Sequence, residues 1–135
     1  MATHMAMLIP LQVKSDNRGV LAVMECGEHV PFVVRRAFVI AAMPEGARRG
    51  AHAHRAQHQF LVATAGAITV IADDGSQRQT WRLEGPTHGI HAPPMTWLDL
   101  CDPSPGSSLL VLCDAPYLAT DYIHDESEFR RLAGS

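Results

Sequence analysis

The stretch Gln59–Leu83, QFLVATAGAITVIADDGSQRQTWRL, decides the fold class. Gln59–Thr64 ends an apolar run that begins at Ala51. Ala65-Gly66-Ala67 then turns the chain into Ile68–Ala72, and Asp73-Asp74-Gly75 turns it again into Gln79–Leu83. Asp-Gly suits the positive φ of a primed turn, so the spacing predicts a hairpin. The same rhythm continues outward. Met7–Val13 precedes the turn cluster Ser15–Gly19 and the run Val20–Glu25. Phe32–Met43 is broken by Pro44-Glu45-Gly46, and Ala51–Thr64 reads as one strand with a bend. Gly89–Ala92, Thr96–Cys101 and Ser107–Asp114 follow, the last two parted by the turn Asp102–Gly106. Short strands with regular turns and no alternating helices predict an all-β sandwich or barrel. Only the end reads as helix, with Asp125 as cap, Glu128 three residues on, and the helix running through Arg131.

The chain of 135 residues is the size of one domain, 1–135. Residues 1–6 are read as flexible or partly tag-derived. Apolar residues at 47% and charged residues at 19% exclude a disordered or collagen-like chain. No run approaches the roughly 18 apolar residues of a membrane helix, and no signal-peptide pattern opens the chain. The odd, widely spaced cysteines Cys26, Cys101 and Cys113 argue against a zinc ribbon or a disulfide framework. A cytoplasmic location is expected. A net charge of −3 gives no reason to expect nucleic acid or a membrane surface. Yet five arginines (Arg35, Arg36, Arg48, Arg49, Arg55) face one acid, Glu45, between positions 35 and 55. Arginine forks suit phosphate oxygens, so a small anionic ligand is expected there.

Histidine is the unusual residue, eight in 135. In His52-Ala53-His54 the two rings share one face of a strand and converge on one space. Near-neutral pKa values suit proton transfer in such a cavity. His58, His88 and His91 are candidates to join them; His4, His29 and His124 are read as surface residues. The spacing from Gly46 to His52-Ala53-His54 also fits the start of the metal-binding cupin pattern. The carboxylate position holds His58 or Gln59, however, and the second motif, Pro93–Leu98, offers no ligand. A three-imidazole metal site stays open on the residues alone.

Asp16–Leu21 with Glu25, Val30–Phe32, Arg35-Arg36, and Arg48–Arg55 together resemble the sugar 3,4-ketoisomerases. These are FdtA/QdtA-like, WxcM-like cupins that act on dTDP-4-keto-6-deoxyglucose. The likeness continues through Gln59–Leu61, Gly66, Asp73–Gly75, Gly89, Pro93, Pro94 and Trp97 to Leu109–Leu112 and Tyr117–Phe129. The resemblance implies a single-domain, RmlC-like cupin β-barrel (jelly roll) with a short C-terminal helix. It also implies a homodimer that exchanges an N-terminal strand. The implied activity moves a sugar carbonyl from C4 to C3 through an enediol, with no metal or other cofactor. The product would feed 3-amino-3,6-dideoxy sugars of surface polysaccharides such as O-antigen.

The implied catalytic residues are His52, His54, Arg49 and His91. One motif histidine acts as base, the other orients it or shuttles protons, and Arg49 stabilises enolate charge. The implied substrate-binding residues are Arg18, Gly19, Arg36, Arg48, Phe38 and Trp97. The chain departs from the family at three places. Ala37-Phe38-Val39 stands where the family usually has a tyrosine, His91 where a tyrosine is frequent, and Leu98-Asp99 where His-Glu is frequent. The alternatives are a nucleotide-sugar epimerase, a non-catalytic nucleotide-sugar-binding cupin, and a metal-dependent cupin. The 3,5-epimerases rely on a histidine paired with a carboxylate and a downstream tyrosine, which the sequence alone does not place.

Overall fold

Strand parity sets the architecture, because alternate residues of each strand face the core or the opposite side. The computed structural model describes residues 5–134. The strands are β1 (Met7–Pro10), β2 (Gln12–Asp16), β3 (Gly19–Val23), β4 (Arg36–Ala41), β5 (Arg49–His54) and β6 (Gln59–Ala65). There follow β7 (Ala67–Asp73), β8 (Arg78–Glu84), β9 (His88–Ala92), β10 (Trp97–Cys101), β11 (Ser108–Cys113) and β12 (Tyr122–Ile123). One helix, α1 (Glu126–Ala133), closes the chain. The strands form two five-stranded sheets, β1-β9-β6-β11-β4 and β12-β5-β10-β7-β8, with β2-β3 as a separate ribbon. Every ladder is antiparallel. This is the all-β cupin barrel expected of the sequence.

The two sheets enclose a core of residues such as Leu61, Val70, Ile90, Leu98, Leu109 and Val111. A second cluster lies on the outer face of the first sheet. There Phe60 and Val62 are covered by Leu11 and Val30, with Met24 and Phe32 packed against them. A third lies behind β5 and β10, where Trp97, Ala53 and Ile123 meet Phe129 of α1.

The structure corrects several local readings. Met7–Val13 is two strands, because the N–H of Leu11 leaves the ladder to bond Thr87 O at 3.0 Å while its side chain enters the outer cluster. Ala51–Thr64 is not one bent strand: Arg55–His58 carry the chain from one sheet to the other. The strand beginning at Phe32 starts its pairing only at Arg36, because Phe32 and Val34 pack into the outer cluster. The Asp-Gly turn is longer than two residues. The Asp73 and Asp74 carboxylates accept bonds from the N–H groups of Gly75, Ser76 and Gln77, stretching it to Asp74–Gln77. Ala6 is buried in the core and so is not part of a flexible tail; residues 1–4, His4 included, lie outside the described residues. Asp125 caps α1 as expected, accepting from Ser127 N at 2.9 Å. Glu128 turns instead toward Arg55 and Arg131.

Phe129 is fully buried with its ring 5.6 Å from that of Trp97. Phe129→Ala is expected to cost about 3–5 kcal/mol through lost burial and the cavity left behind. Urea unfolding of the two proteins checks it.

Candidate active site

Two residues decide which side chains of β5 reach the barrel interior. Gly50 (φ 85°) and Ala51 (φ 55°) both have left-handed backbone. The β10 register slips across them: Leu98 pairs with His52 and Asp99 with Gly50, leaving Ala51 as an extra residue. This is a β-bulge. Glycine is required at 50, since a Cβ there would sit 2.7 Å from Leu98 O. The extra residue shifts the strand's phase, so Arg49 and His52, three apart, both line one cavity. Beyond the bulge, regular alternation returns and His52 and His54 share a face, their rings edge-to-face at 5.1 Å.

Each imidazole is held in one tautomer. His52 Nδ1 lies 3.1 Å from Gly50 O, which can only accept, so Nδ1 carries the proton and Nε2 the lone pair. His54 Nδ1–H donates to Asp121 Oδ2 at 3.0 Å, and its buried Nε2 has no partner. The Asp121 carboxylate is itself pinned by the N–H groups of Ala56 at 2.8 Å and Gln57 at 3.3 Å. Burial pushes the pKa of both imidazoles below the ordinary value. For His52 the hydrogen bond to Gly50 opposes the shift and the nearby His124 adds to it. For His54 the Asp121 bond opposes it and His52 adds to it. The pair is therefore neutral near pH 7 and resists holding two protons.

The cavity has a volume of about 410 Å³ and lies between the sheets. Its polar wall is His52 and Arg49 from β5, Arg36 from β4, Gln59 from β6 and Tyr122 from β12. Phe38, Leu61, Leu98, Leu100 and Val111 make much of the rest. The Arg36 guanidinium lies 5.0 Å from the Phe38 ring centre and 5.3 Å from that of Tyr117. The arrangement offers a neutral base of fixed tautomer beside two permanent cations in a cavity of mixed polar and apolar lining. It suits removing a proton next to a carbonyl and stabilising the resulting enolate. Among the described residues no group of three or more His, Cys, Asp or Glu is placed to hold a metal.

Comparison with known proteins shows the family. The FdtA family model, described as WxcM-like, C-terminal, matches residues 4–134. The chain belongs to that family. It is 34% identical over 116 residues to the TDP-4-oxo-6-deoxy-alpha-D-glucose-3,4-oxoisomerase of Aneurinibacillus thermoaerophilus, covering 86% of this chain and 84% of the other. It superposes with a TM-score of 0.90 on the crystal structure of a 3,4-ketoisomerase from Helicobacter canadensis. That protein is 30% identical, and the match covers 96% of this chain and 98% of that one. A third similar structure is a mutant of the 3,4-ketoisomerase QdtA from Thermoanaerobacterium thermosaccharolyticum in complex with TDP-4-keto-6-deoxyglucose. There the TM-score is 0.92, with 26% identity and coverage of 98% and 96%.

The residues singled out from the sequence scatter in an informative way. His52, Arg49, Arg36 and Phe38 line the cavity, with His54 packed edge-on against His52. Trp97 does not reach it: Leu98 and Leu100 face the cavity, so parity turns Trp97 into the cluster under α1. His91 is turned away too. Its neighbour Ile90 faces the core, and His91 sits on the outer face, its Nε2 hydrogen-bonded to His58 Nδ1 at 2.9 Å under Phe32. Arg18 and Gly19 end the β2–β3 ribbon, where the Arg18 side chain is 86% exposed and paired with Asp16. Arg48 precedes the bulge and does not line the cavity. His29 is not a surface residue: its side chain is only 10% exposed, and Nδ1 accepts from Glu25 N at 3.0 Å. His124 is exposed but stacks on Tyr122.

Two residues gain a place only in the structure, Asp121 and Tyr122. They supply the histidine–carboxylate pair and the tyrosine that the sequence left unplaced. Their signal was the run Asp121-Tyr122-Ile123, a match to the family some 67 residues from His54. Only the pairing of Tyr122 with His54 brings it to the site.

His52, His54 and His91 all have lowered pKa values, His91 to about 4, chiefly through burial. As pH falls below about 6.5 the unfolded chain takes up protons that the folded chain refuses, so acid favours unfolding. The urea midpoint is expected to drop steadily from pH 7 to pH 5. His91→Asn is expected to make that slope shallower.

Proposed function

We propose that this chain moves the carbonyl of a TDP-linked 4-keto-6-deoxyhexose from C4 to C3 through an enediol. The observation that carries the reading is a neutral, tautomer-fixed His52 lining a cavity that also holds Arg36 and Arg49, with His54, fixed by Asp121, packed against it. The named activities of the relatives support it. His52, which lines the cavity, takes the C3 proton on Nε2 and returns it at C4. His54 and Asp121 hold the base in place, and charge repulsion between the His52 and His54 rings when both are protonated limits the pair to one proton. Arg49 stabilises the enolate, and Arg36 with the exposed Arg18 and Arg48 meets the diphosphate. No step calls for a metal or a redox cofactor.

The chain would act in deoxysugar biosynthesis in the cytoplasm; no helix among its described residues is long and apolar enough to cross a membrane. A homodimer accounts for apolar side chains left at the surface: Met7 at the sheet edge, Val39 on the outer face of β4, and Val20 and Leu21 on the ribbon. Strand β1 touches its sheet through β9 alone, so a partner's β1 could make the same ladder. A second reading, epimerisation at C3, is favoured by one feature, the His54–Asp121 pair with Tyr122 beside it.

A proton NMR time course with TDP-4-keto-6-deoxyglucose in D₂O, with and without chelator, separates them. The expected result is a 3-keto sugar carrying deuterium at C4, unaffected by chelator. Deuterium at C3 without carbonyl migration would replace the isomerase by an epimerase. Binding with no exchange would leave a binding protein. In the same assay Asp121→Asn is expected to slow turnover by about 100-fold or more, with TDP binding retained.

A further inference from the structure

Moving a carbonyl along a sugar relocates two protons. One travels from C3 to C4, the other from O3 to O4. An imidazole placed over the two carbons serves the first transfer, but O3 and O4 need their own donor and acceptor. The lining of the cavity narrows the candidates. Arg36 and Arg49 stay protonated, and an amide such as Gln59 is no practical acid. Phe38, the cavity-facing aromatic of β4, has no hydroxyl. Among the described residues lining the cavity, Tyr122 alone carries one.

We propose that the Tyr122 hydroxyl relays the proton between the two sugar oxygens, an inference that rests on the ketoisomerase reading. Its position is fixed from several sides. Tyr122 pairs with His54 across β12 and β5, and its ring centre lies 4.3 Å from that of His54 and 5.2 Å from that of His52. His124 stacks on it at 5.4 Å with the planes 9° apart, and Tyr117 leans on it at 5.5 Å. Arg36 Nη1 donates toward the hydroxyl oxygen at 3.5 Å, so a phenolate formed in passing meets a fixed cation. The acid for the oxygens and the base for the carbons thus stand side by side on paired strands.

The steps balance. His52 takes the proton from C3 as the C3–H electron pair becomes the C3=C4 bond. The C4=O4 π pair moves to O4, which takes the Tyr122 proton, leaving an enediol, a phenolate and an imidazolium. The phenolate then takes the proton from O3, and the O3–H pair becomes the C3=O3 bond. The C3=C4 pair takes the imidazolium proton at C4. Tyrosine and histidine end as they began, and the sugar has exchanged its carbonyl and hydroxyl.

The test is Tyr122→Phe in the D₂O assay beside the unsubstituted protein, with thermal melting and TDP binding as controls. Carbonyl migration is expected to fall about 100-fold or more, while deuterium entry at C3 falls at least about tenfold less, because the carbon base is intact. Migration within about threefold of the unsubstituted protein would overturn the relay. So would equal losses of migration and exchange with TDP binding retained, which would show that Tyr122 acts by positioning the histidines. Should Tyr122→Phe fail to fold, 3-fluorotyrosine at position 122 keeps the shape and makes the phenol a stronger acid. The alkaline limb of carbonyl migration is then expected at lower pH; an unmoved limb would overturn the relay. If the unsubstituted protein neither exchanges nor converts the sugar, the ketoisomerase reading fails and the relay with it; exchange at C3 alone would point to the epimerase.

Discussion

The carboxylate of Asp121 ties the molecule together at its working end. One oxygen accepts from Ala56 N, the other from Gln57 N and from the His54 ring. Those three bonds join the turn that leads into the chain's last strand to the crossing at which β5 leaves one sheet and β6 enters the other. A buried carboxylate is costly unless it is fully bonded, so this geometry admits little slack. It settles the tautomer of His54 and the seat of Tyr122, the next residue. It also anchors the segment from which α1 grows to cover Trp97 and Ala53.

The bulge at Gly50-Ala51 does complementary work from the other side. Regular alternation would have shared one face among Arg48, Gly50 and His52. An extra residue moves Arg49 into that set, so a permanent cation and a neutral base reach the same space. Left-handed backbone at a non-glycine residue such as Ala51 is uncommon and persists only when its surroundings enforce it. Here β10 does so, through Leu98 on one side of the slip and Asp99 on the other.

Much of this was legible in the sequence because strand parity is legible. The turn signals gave the barrel, and His52-Ala53-His54 gave the converging rings. Parity failed where the chain breaks its own rhythm. The bulge sorted Arg49 from Arg48, which adjacent positions on paper could not do. His91 and Trp97 went astray because a strand's two faces look alike until the neighbours show which is inside. Ile90 and Leu98 are those neighbours, and both belong to the barrel core. Asp121 and Tyr122 were visible as letters but not as partners, since no local pattern connects them to a strand 67 positions earlier.

The account turns on His54 being a neutral imidazole with its proton on Nδ1, held there by Asp121. Nitrogen-15 NMR of histidine-labelled protein near pH 7 reads this directly. The predicted signature for His54 is a protonated Nδ1, an Nε2 resonance in the range of an unprotonated ring nitrogen, and loss of that pattern in Asp121→Asn. A doubly protonated ring, or a proton resident on Nε2, would contradict it.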